Sequence, residues 1–490
     1  MSRTTQITSL GRDHDLESSV TTSIQLQPLP QSEIQQRDTH RHETSDGELL
    51  EIDPVLEASR AADNDVPDGG YAWVVIFASA IVCFWFTGNG NYTWGVIQNA
   101  LLEQKLASAA TLSFIGSLSP TIMAALAIVN ARVIRWLGIR VSAILGIVLL
   151  GVAQLTSGFS THSVAGQFIT RGVGVGLGMS LCFMVTSTIP AQYFSRKRGL
   201  ANGIVSAGGG LGAAVLSYVL DALIQRFGVQ WAYRIVGIMT LVTGLPAAWI
   251  MKERTTLPRV SFIEWRLFKD LKFVLIFVAG AIATFPLLVP AFFLPFYSTS
   301  IKLPSSTGAA LLSGYNFSSA VGRILGGFCS DNLGPLNTLI ISLILSAVSM
   351  LALWPASTTL IPLAFFAIIN GASNGMYFAT VPTAVGNIFG SARVSVALGM
   401  IVTGWGAGYL MVSTSISITV LESEADMRIT GSPNRRLYIG RAWRIGCGSQ
   451  GLSTGHVLRR FPRYGSDWLS NTYEISDKLV AFSQTLRWIR

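Results

Sequence analysis

The sequence predicts an all-α integral membrane protein built from two helical halves. Three observations carry that prediction. Half of the 490 residues are hydrophobic and only 12% are charged, against about 25% charge in ordinary soluble domains. Apolar stretches recur along the chain at the length of about 20 residues that a helix needs to cross a bilayer core. The glycine spacing of one half returns in the other. Helices are the economical choice, because in lipid each backbone N–H and C=O must be satisfied within its own segment. The formal charge of +9 does not point to nucleic acid, since the basic residues form short clusters between apolar runs, as in the loops of membrane proteins.

In chain order, residues 1–66 are rich in Gln, Ser, Thr and charged types, too poor in apolar side chains to offset the entropy of ordering. They lack the apolar core of a secretory signal and are expected to be a disordered cytosolic tail, its histidines His14, His40 and His42 solvated. Eleven apolar stretches follow: approximately Tyr71–Ile97, Thr111–Ala131, Ile139–Ser157, Val164–Thr188, Gly199–Leu220, Trp231–Met251, Leu271–Tyr297, Gly308–Cys329, Leu336–Leu353, Leu360–Val381 and Val396–Val420. Arg132, Arg135 and Arg140, then Arg196, Lys197 and Arg198, then Lys252, Arg254, Arg259, Arg266, Lys269 and Lys272 occupy loops on one side. The bias of basic residues toward the cytosol places the N-terminus inside. The longest polar interruption, residues 252–270, divides a first half of six helices, 67–251, from a second half, 271–420, in which five helices are clear. A divergent basic segment, 421–490, ends the chain.

The halves echo each other. Gly203, Gly208 and Gly212 in span five recur as Gly399, Gly404 and Gly408 in span eleven, offset by 196 residues. NARVIRWLGIR (Asn130 to Arg140) is echoed by GFCSDNLGPLN (Gly327 to Asn337), each joining the second and third spans of its half. This pattern resembles the loop motif G-x-x-x-D-R-x-x-G of the major facilitator superfamily. The first copy has Asn130 for Gly and Ile134 for Asp, and the second keeps Gly327 and Asp331. The resemblance implies a major facilitator fold, two halves rocking about a midplane site.

Two further motifs are similar to those of the monocarboxylate porter family. Asp68-Gly69-Gly70-Tyr71-Ala72-Trp73 matches [DE]-G-[GS]-[WY]-[GA]-W at the entry to span one. YFSRKRGLANGIVSAGGGLG, with Tyr193, Phe194, Arg198, Gly203, Gly208 and Gly212, matches the pattern after span four. Tyr71 and Trp73 suit an interfacial aromatic belt, and Asp68 is expected to pair with an arginine of the second motif. Gly172, Gly174, Gly176 and Gly178 mimic a dinucleotide loop, but no strand precedes them; helix packing explains them.

Charges inside spans default to functional hypotheses. Arg171 in span four and Arg323 in span eight are the candidates. Arg323 matches the arginine that the family carries in span eight for a substrate carboxylate, and a planar guanidinium presents two parallel donors to such a group. A pairing of Arg323 with Asp331 is the competing role, and for Arg171 a structural role competes with a substrate contact. Asn91, Asn316 and Asn374 are cavity candidates, as are Asn89 and Asn370, and Asn91 and Ser319 stand where animal relatives carry a lysine and an aspartate. A side-chain proton relay is therefore not visible, so facilitated diffusion or a proton arriving on the substrate acid is expected. Phe292, Phe293 and Phe296 beside Pro286, Pro290 and Pro295 offer a gate or lipid-facing bulk.

Cys83, Cys182, Cys329 and Cys447 lie too far apart for a zinc spacing or a disulfide framework, and packing is their expected role. No metal, no cofactor and no enzymatic constellation is expected. The predicted function is multi-pass secondary transport of a small organic anion, resembling fungal monocarboxylate-type carriers. Its partners would be that substrate and the lipid bilayer, with an accessory protein left open, and its site the plasma membrane or else a vacuolar or other organelle membrane. A carrier of a larger metabolite, or a non-transporting sensor or impaired paralogue, is the alternative. The resemblance leads to a twelfth span after Met411; none is legible, and altered splicing or a changed reading frame after about Val412 is the expected cause.

Overall fold

The regular elements of the computed structural model, which describes residues 68–254, 264–390 and 393–409, are all helical. α1 (Tyr71–Glu103) contains a π-helical turn at Gly88–Tyr92. α2 has two limbs, Ala109–Ala125 and Ala127–Leu137, bent by 56° where Leu126 leaves helical dihedrals. α3 (Ile139–Ser157) and α4 (Val164–Tyr193) follow, α4 with a π-helical stretch at Phe168–Gly174. α5 (198–227) and α6 (229–250) abut at Gly228, whose φ of 79° no side-chain-bearing residue adopts readily. The second half comprises α7 (Leu271–Ser300), α8 (Ser305–Leu333), α9 (Pro335–Ala356), α10 (Leu360–Phe389) and α11 (Val394–Tyr409).

Each expected span coincides with one of these helices, α11 as far as Tyr409. By length and composition alone, seven qualify as membrane spans, or eight with the bent α2. The differences have physical reasons. The segment 198–250 is helical except at Gly228, so two helices there qualify together as one. α8 is rich in Ser, Gly and Asn, which lowers its apolar content while its buried face packs on other helices rather than lipid. Helices also outrun the apolar stretches, α4 continuing past Thr188 to Tyr193, because helical hydrogen bonding persists where lipid ends. The twelfth-span expectation, and those for 1–66 and 421–490, fall outside the described residues.

The end of the bundle that holds Arg254, donating to the Gln192 carbonyl, and Glu264, paired with Arg393, is termed here the linker end. Small residues bring helices together: Gly151 and Gly237 join α3 to α6, and Gly322 and Gly371 join α8 to α10. The glycines of RGVGVGLG pack likewise, Gly172 on Leu118, Gly176 on Ser119 and Ile122, and Gly178 on Gly146 and Leu150. Outward faces carry lipid-suited side chains such as Phe77, Trp249, Ile282 and Phe365, each more than half exposed.

Candidate functional site

Between the halves lies a cavity of about 70 Å³, room for several water molecules. α1 contributes Cys83, Phe86 and Thr87, α4 Phe183, Thr186 and Ser187, and α5 Asn202, Val205 and Ser206; the other half supplies Arg323, Phe378, Pro382, Trp405 and Tyr409. Arg323 carries the formal charge among the lining side chains. It is 4% exposed, its Nη1 donates to the Ser206 carbonyl, and its Nε has no hydrogen-bond partner. A buried guanidinium with donor capacity to spare and no carboxylate in the same lining leaves charge for a guest to meet. Cys83 sits beside it, its thiol near Thr87 Oγ1 at 3.5 Å, so this cysteine lines the cavity as well as packing.

Asp331 does not pair with Arg323. Its two carboxylate oxygens accept from the amides of Gly199 at 2.7 Å and Leu200 at 2.8 Å, at the start of α5. An acid at a helix N-terminus satisfies otherwise unpaired N–H groups and meets the positive end of the dipole. Asp68 uses the same device one turn earlier, accepting from the amides of Ser195 at 2.8 Å and Arg196 at 3.1 Å. The expected partner was an arginine side chain of this motif; the backbone wins because two adjacent amides fit two oxygens. The two porter-like motifs therefore touch: Trp73 also packs on Phe194, ring centroids 4.8 Å apart. Tyr71, by contrast, is more than half exposed, with its hydroxyl on the Ile250 carbonyl, and Tyr193 donates to the Lys252 carbonyl at 2.7 Å.

The halves close on each other at the linker end. Gly203 of α5 lies against the Arg323 carbonyl and Gly327 of α8, where a Cβ would meet backbone. Arg198 donates to Asn387 Oδ1 at 3.2 Å and Asn202 Nδ2 to Thr383 Oγ1 at 2.9 Å; at the level of the cavity, beside Met123 and Trp405, Thr403 Oγ1 donates to the Ala124 carbonyl at 3.2 Å. Asp331 adds a carboxylate to the set, reaching from α8 to α5. Glu264, just before α7, pairs with Arg393 at 3.3 Å. Gly208 and Gly212 serve a different contact, within the first half, against Ala80 and Phe84 of α1.

Arg171 lies apart from the cavity lining. It is 1% exposed, and its Nη2 donates to the carbonyls of Asn89 at 2.8 Å and Gly90 at 3.1 Å, in the π-helical turn of α1. Its guanidinium stands 5.3 Å from the Trp94 ring centre, a cation–π distance. The Arg171 carbonyl accepts from Ser119 at 2.7 Å. The π-helical stretches of α1 and α4 are thus joined by one guanidinium.

The remaining candidates divide. Asn374 Nδ2 donates to the Leu287 carbonyl at 2.6 Å, tying α10 to α7, and Asn370 Nδ2 to Ser349 Oγ at 2.7 Å, tying α10 to α9. Asn316 and Ser319 are buried on α8 away from the cavity, the Ser319 carbonyl against Gly375 of α10. Phe293 is buried; the side chains of Asn91, Phe292 and Phe296 lie outside the described residues. Sequence reasoning did not single out Asn202, Ser206, Phe183, Phe378 or Trp405. Asn202 and Ser206 sit one helical turn apart inside the second porter-like motif, a spacing that would have put them on one face.

Comparison with known proteins fits this architecture. The chain is 29% identical to the uncharacterized transporter ESBP6 of Saccharomyces cerevisiae over 63% of this chain, although that match spans about half of the yeast protein, 48%. It is 29% identical to the aspyridones efflux protein apdF of Emericella nidulans, over 69% of each chain. The crystal structure of the human organic anion transporter MFSD10 shares the fold, with a TM-score of 0.58 at 13% identity, covering 77% of this chain and 99% of that one. The model of the Major Facilitator Superfamily matches residues 76–413, and with its helical bundle, its multiple membrane spans and its fungal transporter relatives the chain belongs to that superfamily of membrane transporters.

Proposed function

We propose that the chain is a carrier of a small organic anion, of monocarboxylate-porter type, that works by alternating access with Arg323 as the anion dock. One observation carries this reading: Arg323 is buried in the inter-half cavity with an unpartnered Nε, while the acid within reach along its helix, Asp331, is engaged by amides. A carboxylate bound there gains charge-assisted, paired N–H donors in a site shielded from water. The halves 67–251 and 271–420, joined by 252–270, are the moving bodies, and the contacts that close the linker end are those that must break for release to that side. With the N-terminus cytosolic, the described form is closed to the cytosol, in the plasma membrane as the preferred location. No acid lines the cavity among its described residues, which favours facilitated diffusion or a proton carried on the substrate acid.

The test is counterflow of labelled carboxylates by the full-length chain in liposomes at two pH values. Flux of anions but not of matched amides, lost in Arg323→Ala and partly kept in Arg323→Lys, supports the reading; saturable binding without flux would make the protein a sensor. A second reading, efflux of a larger metabolite, draws on the similarity to the aspyridones efflux protein. A cavity of about 70 Å³ is far below the several hundred Å³ typical of sites for drug-sized ligands, so such cargo requires the bundle to widen.

A further inference from the structure

The cavity offers more than a charge. Phe86 and Phe183 meet with ring centroids 6.2 Å apart at 86°, Phe183 and Trp405 at 6.2 Å and 64°, and Phe378 and Trp405 at 5.5 Å and 80°. All four rings line the cavity. They form one edge-to-face chain running from α1 and α4 of the first half to α11 and α10 of the second. Trp405 is 1% exposed, and the apolar part of the lining surrounds a single guanidinium. Two of the lining hydroxyls are engaged elsewhere, Thr186 donating to the Cys182 carbonyl and Ser206 to the Asn202 carbonyl.

We infer that the cargo is an aromatic or otherwise flat, conjugated carboxylate, its carboxylate on Arg323 and its ring entering the chain of Phe86, Phe183, Trp405 and Phe378. This rests on the carrier reading above and names its substrate class. A planar guest gains ring contacts at the centroid separations that aromatic pairs prefer, beyond the area it buries. A short hydroxy acid leaves that wall without a partner, and a saturated ring of equal charge fills space without the quadrupole match. A cationic guest would suit the ring faces, but it would meet the Arg323 guanidinium. Because the rings come from both halves, the wall is whole only while the halves are together around the cargo.

The experiment is displacement of labelled 2-naphthoate from the full-length chain in nanodiscs at pH 7.5, with labelled lactate run in parallel. Benzoate is expected to outcompete cyclohexanecarboxylate by about tenfold, and Trp405→Leu to cut that ratio by about three- to tenfold, the scale of one lost aromatic pair. Trp405→Phe, which keeps a ring, should restore most of it, and Phe378→Leu supplies an independent variant should Trp405→Leu fail to fold. Equal displacement by benzoate and cyclohexanecarboxylate, or Arg323-dependent binding of lactate without binding of 2-naphthoate, overturns the aromatic inference and leaves the carrier reading standing. Absence of binding by both labelled acids overturns the carrier reading and this inference together.

Discussion

Two buried arginines, Arg171 and Arg323, look alike in sequence and are almost equally hidden, at 1% and 4% exposure. Their surroundings separate them. Arg171 gives its Nη2 to the Asn89 and Gly90 carbonyls and sets its face on Trp94; its Nε and Nη1 are also without hydrogen-bond partners, but the residue does not line the cavity. Arg323 makes one bond to the Ser206 carbonyl and otherwise opens into a cavity. Burial marks both as costly; only what faces the charge tells a clamp from a dock. The π-helical turn at Gly88–Tyr92 explains how a carbonyl pair comes to be available to Arg171, since a wide turn draws carbonyls off the usual i→i+4 ladder.

The largest expected effect follows from the proposed dock at Arg323. Arg323→Ala should lower anion binding at least about 100-fold, because two charge-assisted hydrogen bonds at about 1.5–3 kcal/mol each disappear. The thermal midpoint should move little, since one bond to Ser206 is lost. Titration of the variant in nanodiscs, together with a melting curve, measures both. Unchanged affinity would reverse the roles assigned to the two arginines.

Arg171→Leu sharpens the same contrast from the other side. It strands the Asn89 and Gly90 carbonyls in a buried site, a cost of about 2–4 kcal/mol, so the melting midpoint should fall by several degrees. Affinity of the protein that remains folded should stay within about threefold, as the cavity lining is untouched. A variant that keeps its midpoint and loses binding would place Arg171 in the substrate path.

The architecture was legible in the sequence because lipid imposes a simple rule, apolar residues long enough to cross, and each half obeys it. Basic clusters and the repeated glycine spacing suggested a division into two halves, since loops and helix crossings constrain few residues strongly. The site was legible only in part. Asn316, Ser319 and Arg323 share one face of α8 at helical spacing, yet α10 approaches so closely at Gly375 that the Ser319 level is sealed and Arg323 alone of the three reaches the cavity. Asn374 looked like a substrate contact and is a strut to Leu287. A polar side chain within a span serves a neighbouring helix as readily as a guest, and only the neighbour's position decides. Trp405 and Phe183 carried no sequence signal, because an aromatic in an apolar run is indistinguishable from core until a void opens beside it.

A second pair makes the comparison finer. Asp331 and Asp68 both hold the segment 195–200 by two amides, but Asp331 reaches it from the other half and Asp68 from its own. Asp331→Asn weakens a charge-assisted pair by about 1–3 kcal/mol exactly where the halves meet, so it should favour opening at the linker end. A thiol placed by Asn202→Cys, in a background with Cys83→Ala, Cys329→Ala and Cys447→Ala, should then react about five- to tenfold faster with a maleimide from that side, a ratio of about 1 kcal/mol. An unchanged rate would mean that the remaining contacts, such as Arg198 to Asn387, close the end without it.

Asp68→Asn is the matched control and the smallest effect. Asp68 has a φ of 46°, in the left-handed region that Asn and Asp tolerate better than other side-chain-bearing residues. The substitution therefore removes charge without adding backbone strain. One oxygen can still accept an amide, while the NH₂ group faces the other, so the loss should be about 1 kcal/mol. It falls on contacts within the first half, α1 against the turn after α4, which move as one body under the alternating access proposed above. Stability should drop slightly and thiol labelling at the linker end should not change. If Asp68→Asn accelerates labelling as much as Asp331→Asn, the segment 195–200 is itself the hinge, and which half an acid comes from ceases to matter.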